Sequence, residues 1–228
     1  ITPDYPDSTD TYIGGIFIKD FVDTVKESFR EIVVVAPVLF SGRVMPNDRY
    51  CTDYQYDNVS VFYPRCLFIP RSLHIPGITN RLKLSFDTRP YIVKRLVKNL
   101  GKRFDLIHAN FTWPSAYIGV ILKEELGIPL ITTVHEDPAW LSEENAMAHP
   151  LIKKAWVNSD AILRPNSLDI PVLKNYNKKI FRVSNGFSRI FRPMDSMACR
   201  ATLGLPADRR ILLSVGNLEV IKGHRYLI

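Results

Sequence analysis

Residues 31–37 read EIVVVAP: one charge, four consecutive β-branched apolar residues, then alanine and proline. A strand with one wet face alternates apolar and polar residues. This run does not alternate, so it is read as a strand buried on both faces, as in a parallel sheet covered by two layers of helices. Six further runs have a similar character: VSVFYP (59–64), FDLIHAN (104–110), IPLITTVH (128–135), AILRP (161–165), IFRVSNG (180–186) and RILLSVG (210–216). Helical segments fall between them. Over 15–29, Ile18, Phe21, Val22, Val25 and Phe29 recur at the spacing of one helix face. The segment 114–126 opens on Pro114, suited to a first helical turn, and stops before Gly127. Strands alternating with helices predict an α/β fold, a Rossmann-like, doubly wound parallel sheet.

The chain has 228 residues, 46% hydrophobic and 23% charged, which is ordinary for a globular protein and too apolar for disorder. No stretch is long and apolar enough to span a membrane, and residues 1–10, ITPDYPDSTD, resemble no signal peptide. Three cysteines (Cys51, Cys66, Cys199) with no C-x-x-C spacing fit a reducing compartment, and the expected location is cytoplasmic. The net charge of +7 favours anionic partners without choosing among them. No basic stripe interleaved with aromatics occurs, so nucleic acid is not an expected partner.

Organisation follows from the same pattern. Residues 1–186 form the first domain. A sheet of this kind opens with a full strand, yet Ile1 leads straight into loop-like residues, so most of that strand is expected to be missing. Residues 187–209, polar and punctuated by proline, read as a linker. Residues 210–228 read as the first, unclosed unit of a second domain: a strand, a glycine loop ending at Lys222-Gly223, and the start of a helix.

Several candidate site residues sit where such sheets hold ligands. Gly14-Gly15 precedes the first helix, whose N-terminal N–H groups suit phosphate; a plain loop-to-helix turn is the competing reading. His135 ends a strand at its carboxyl edge, where an imidazole either bonds a substrate hydroxyl or is satisfied by backbone. Lys222 is the best phosphate ligand of the chain, against a solvated loop lysine. No paired carboxylates of the glycosidase type, Walker loop, G-x-S-x-G elbow, H-E-x-x-H or metal-binding carboxylate cluster occurs. Residues 91–103, YIVKRLVKNLGKR, form an apolar face of Ile92, Val93, Leu96, Val97 and Leu100 backed by Lys94, Arg95, Lys98, Lys102 and Arg103. This is either a membrane-touching basic helix or a core helix with a solvated back.

Taken in order, Gly14-Gly15, FDLIHAN, GIPLITTVHE (127–136), VSNGFSRIFRP (183–193) and residues 200–228 resemble the family 4 retaining glycosyltransferases of the GT-B architecture. The resemblance implies the N-terminal half of a two-domain enzyme that moves a sugar from a nucleotide-diphosphate sugar to a lipid or carbohydrate acceptor, with no metal or other cofactor. It implies that His135 is the active-site histidine, that Gly14, Gly15 and Lys222 hold the donor diphosphate, and that Tyr12, in the loop after Asp10, faces the acceptor. Asn217 stands where the family carries a phosphate-binding arginine and offers a single hydrogen bond in place of a charged fork. Asn110 replaces a second histidine, and His108 is read as structural. The family's two sugar-gripping glutamates have no counterpart, so the chain alone is expected to be inactive. A binding module, an epimerase or a glucan synthase of this fold remain the alternatives, and peripheral attachment at the inner membrane face goes with the basic-helix reading.

Overall fold

The computed structural model describes residues 1–40, 51–69, 86–138, 141–142, 150–186, 191–216, 218 and 220–227. The chain divides into two compact units, Ile1–Phe187 and Ser188–Ile228.

The first unit contains α1 (Ile16–Val25), β1 (Ile32–Val35), β2 (Val38–Phe40), β3 (Tyr54–Tyr56), β4 (Val59–Phe62), β5 (Arg65–Ile69), β6 (Phe86–Asp87), α2 (Arg89–Asn99), β7 (Ile107–Asn110), α3 (Tyr117–Leu126), β8 (Leu130–Thr133), α4 (Pro150–Asn158), β9 (Ala161–Arg164), α5 (Ile170–Leu173) and β10 (Ile180–Arg182). The strands β7, β8, β9 and β10 pair in parallel and in sequence order, with Ile107 opposite Leu130, Ile131 opposite Ala161 and Ile162 opposite Ile180. On the other side β1 pairs in parallel with β4. Ile1 and Thr2 join the two halves. The Asn110 N–H donates to the Ile1 carbonyl at 2.8 Å, and the Thr2 N–H donates to the Val35 carbonyl at 3.1 Å. The order across the molecule is therefore β3-β4-β1, then Ile1, then β7-β8-β9-β10.

This is the expected doubly wound α/β sheet, with two antiparallel additions at its margins: β3 on β4, and β6 on β5. Beyond Pro37, β2 and β5 extend the β1–β4 pair as a second parallel pair. The unbroken apolar run of β1 has the meaning read from sequence. Val34 packs with Ile18 and Val22 of α1, while its neighbour Val35 packs on the opposite face with Val93 and Val97 of α2 and Ile118 of α3. Consecutive strand residues point to opposite faces, so a strand covered on both sides has no polar position to spare.

Two local expectations are corrected. Pro114 does not open an α-helix: it lies within a wide turn, Thr112–Ala116, and the helix proper starts at Tyr117. Residues 210–216 form no strand, and Leu212 and Leu213 are 88% and 82% exposed. A strand needs a neighbour for its backbone N–H and C=O groups, and none of the described residues pairs with this run. The helix expected after it is reduced to two short turns, Val220–Lys222 and His224–Tyr226. The second unit does hold one short helix, α6 (Ser196–Thr202), capped by the Asp195 carboxylate on the Ala198 N–H at 2.7 Å. Among the described residues no helix is long and apolar enough to cross a membrane.

Candidate functional site

In doubly wound sheets, ligands bind outside the carboxyl ends of the strands where the strand order reverses. Here the order runs away from Ile1 in both directions, so the reversal lies between β1 and β7. The residues gathered at the carboxyl ends there are the Asp4–Gly15 loop, Asn110–Thr112 after β7, and Val134–Glu136 after β8.

The loop is fixed by its own polar side chains. The Asp7 carboxylate accepts from the Tyr12 N–H at 2.8 Å and the Asp4 carboxylate from the Tyr12 hydroxyl at 2.6 Å. Tyr54 and Tyr63 both donate to the Pro6 carbonyl. Both glycines are explained by close approach. A Cβ on Gly14 would lie 2.3 Å from the Tyr12 hydroxyl oxygen, and one on Gly15 would lie 2.4 Å from the Asp4 carbonyl oxygen. Gly15 also has φ 72°, a left-handed conformation, at the start of α1. No acidic residue occupies the first turn of α1, so the positive end of its dipole is uncompensated there. Tyr12 thus has a structural task, and its hydroxyl is committed to Asp4.

His135 stands at the centre. Its Nε2 lies 3.1 Å from Asn110 Oδ1, and its ring packs against Phe17 of α1 and Phe111, each with a centroid separation of 5.0 Å. Burial, followed by the charge of Arg164, lowers its pKa to about 4, so the imidazole is neutral at neutral pH. With Asn110 Oδ1 as acceptor, Nε2 carries the proton and Nδ1 the lone pair. Arg164, itself buried, donates to the Val134 carbonyl at 2.5 Å and pairs through Nε with the buried Asp169 at 2.8 Å. The backbone just before His135 is therefore pinned by β9. His108 is occupied elsewhere: its Nε2 meets Thr133 Oγ1 at 2.8 Å, and burial lowers its pKa to about 3.

Sequence reasoning found no paired carboxylates of the glycosidase type and missed the position of Glu136. Its Oε1 accepts from the Thr112 N–H, joining the ends of β7 and β8. Its Oε2 is buried without a hydrogen-bond partner among the described residues. Burial raises its pKa. Phe111, between Asn110 and Thr112, holds φ 70°, a strained conformation for a bulky residue. Its N–H donates to the Thr133 carbonyl at 2.8 Å. An acidic residue directly after a strand-end histidine was the only sequence signal for this brace.

Gly14, Gly15, Tyr12 and His135 thus share one end of the first unit. Lys222 belongs to the second unit, where its aliphatic stem lies over Gly216: a Cβ on that glycine would be 3.6 Å from Lys222 Cγ. Asn217 lies outside the described residues. The basic back of α2 is partly neutralised, with Lys94 and Lys98 both on Glu125 and Lys102 on Glu31. Among the described residues no cluster of His, Cys, Asp and Glu could hold a metal ion.

Comparison with known proteins identifies the family. The model of Glycosyltransferase Family 4 matches residues 52–188. A D-inositol 3-phosphate glycosyltransferase of Thermobispora bispora is 31% identical over 140 residues, 53% of this chain and 31% of that protein. Its namesake from Segniliparus rotundus is 27% identical over 150 residues, 60% of this chain and 33% of that protein. An uncharacterised glycosyltransferase of Methanocaldococcus jannaschii is 26% identical over 153 residues, covering 67% of this chain and 37% of its own length. The chain spans about a third of the length of these curated relatives. Because the family match covers more than half of the 228 residues, the chain belongs to glycosyltransferase family 4.

Proposed function

We propose that the protein carrying this chain transfers a sugar from a nucleotide-diphosphate sugar to an acceptor hydroxyl with retention at the anomeric carbon. The observation that carries this reading is the neutral His135, braced by Asn110 and flanked by Phe17 and Phe111, beside the glycine-led N-terminus of α1. In this reaction the bond from the anomeric carbon to the diphosphate breaks, and a bond to the acceptor oxygen forms on the same face. The acceptor proton leaves with the diphosphate. The chain's contribution is electrostatic. The N–H groups of α1 receive the charge developing on the leaving group, and His135 holds the sugar; in the second unit, Lys222 is the residue that the family resemblance gives to phosphate. The acceptor lies against the Asp10–Tyr12 loop. Because Asp4 holds the Tyr12 hydroxyl, Tyr12 contributes its ring rather than a free hydroxyl.

The relatives named for inositol 3-phosphate make that compound the first acceptor to test, with lipid-linked and oligosaccharide acceptors next. The test incubates the protein with a panel of nucleoside-diphosphate hexoses and each acceptor, and reads the product by mass and anomeric coupling constant. A single transferred sugar with the donor's anomeric configuration is expected. An inverted product, a polymer or an epimerised donor would replace this reading. Ion pairing of Lys94, Lys98 and Lys102 leaves Arg95 and Arg103 as the main charges for any anionic surface, which makes membrane attachment through residues 91–103 the weaker part of the proposal.

A further inference from the structure

Asp10, Asp57 and Phe111 are the described non-glycine residues with positive φ. Aspartate tolerates the left-handed region. Phe111, at φ 70° and ψ 148°, lies in a region otherwise left to glycine. Its backbone is held there by hydrogen bonds from three directions. The Phe111 N–H donates to the Thr133 carbonyl at 2.8 Å, and its carbonyl accepts from the Ala116 N–H at 3.1 Å. The next N–H, of Thr112, donates to Glu136. None of these bonds uses the ring. Glycine would make all three without strain, so the turn by itself gives no reason for a phenylalanine.

The ring supplies the reason. It packs on His135 with centroids 5.0 Å apart and meets Phe17 edge-on at 6.3 Å and 70°. Phe17, in the first turn of α1, packs on the same imidazole at 5.0 Å and is 39% exposed. Two rings therefore flank His135 beside the N-terminus of α1, one carried by the helix and one by the strained turn. We propose that Phe17 and Phe111 form an aromatic platform for the C–H face of the transferred pyranose ring, while His135 bonds one of its hydroxyls. The proposal rests on the transfer reading above. Sugar C–H bonds carry partial positive charge from the neighbouring oxygens and suit the negative face of an aromatic ring. A hydroxyl aimed at such a face would lose its hydrogen bonds, so the platform sets which face of the sugar turns toward the rings.

The test titrates UDP-glucose and GDP-mannose, each against its nucleoside diphosphate alone, into the protein carrying this chain. Phe17→Leu keeps apolar bulk without a ring. It is expected to weaken the sugar nucleotide that the wild-type protein binds by about three- to tenfold while leaving the bare diphosphate unchanged. Phe17→Tyr, which keeps the ring, should leave both unchanged. Phe111→Gly should show the same selective loss, with a urea midpoint above that of Phe111→Ala, because only glycine relieves the backbone. Three results would overturn the platform alone: unchanged sugar-nucleotide affinity in Phe17→Leu and Phe111→Gly, equal weakening of sugar nucleotide and bare diphosphate, or a loss confined to the KM of the acceptor. A lower midpoint for Phe111→Gly than for Phe111→Ala would also contradict it, since the backbone would then carry no strain. If the wild-type protein binds neither sugar nucleotide, the transfer reading fails and the platform falls with it.

Discussion

Residues 161–165, AILRP, and residues 210–216, RILLSVG, are alike in composition, yet they differ in structure. The first becomes β9, held between β8 and β10, with Ile162 wholly buried and Arg164 locked onto Asp169 and the Val134 carbonyl. The second has no strand partner among the described residues, and Leu212, Leu213 and Val215 are all more than four-fifths exposed. The difference teaches that β-propensity is a statement about a surface to pair with rather than about the run itself. It extends to function. Residues of the first unit's site are fixed by packing and hydrogen bonds, whereas Lys222 is exposed at the end of a short turn.

Substitutions break or sharpen this contrast in order of size. Arg164→Met is expected to cost most, about 3–5 kcal/mol, because it leaves Asp169 as a buried, uncompensated charge; urea unfolding reads it. The double substitution with Asp169→Leu should recover a large part of the loss. Gly15→Ala comes next, at roughly 1–3 kcal/mol, from a left-handed backbone now carrying a Cβ against the Asp4 carbonyl. Leu213→Ser should change stability by no more than about 0.5 kcal/mol. A large loss there would mean that the run is packed after all. Lys222→Ala should likewise leave stability unchanged while lowering turnover.

Acid titration sharpens the account of the first unit further, through its two perturbed histidines. His135 and His108 have pKa values lowered to about 4 and about 3 from 6.5. Between those values and pH 6.5 the unfolded chain binds protons that the folded chain does not, so stability rises with pH across that window and levels off above it. Glu136 acts in the opposite sense. Its pKa is raised by burial, so its contribution is present below pH about 4.5 and is lost as pH rises through the folded value. Glu136→Gln is therefore expected to steepen the rise between pH 4.5 and 6.5, as read by urea midpoints. An unchanged slope would remove Glu136 from the buried set.

Much of the fold was legible because unbroken apolar runs admit few other readings. EIVVVAP, FDLIHAN and IPLITTVH all became parallel strands, and His135 could be placed at a strand end from its neighbours alone. What stayed hidden depends on contacts between segments distant in sequence. The Glu136 bond to the Thr112 N–H spans 24 residues, and His135 meets Asn110 across 25. Neither has a local pattern. The close approach of the Tyr12 ring to Gly14, two residues away, likewise has no signal in the local pattern. Pro114 was placed by a rule for helix starts, but the strained Phe111 and the Glu136 brace set the chain direction before the helix begins.

The most direct test of the central claim is sugar transfer by His135→Ala in the protein carrying this chain. It is measured at saturating nucleotide sugar, with folding checked by the urea midpoint. Loss of a positioned polar group at the reacting sugar is expected to lower turnover by about 10²–10³ with the fold intact. Wild-type turnover from a folded His135→Ala protein would contradict the account and return His135 to a purely structural role.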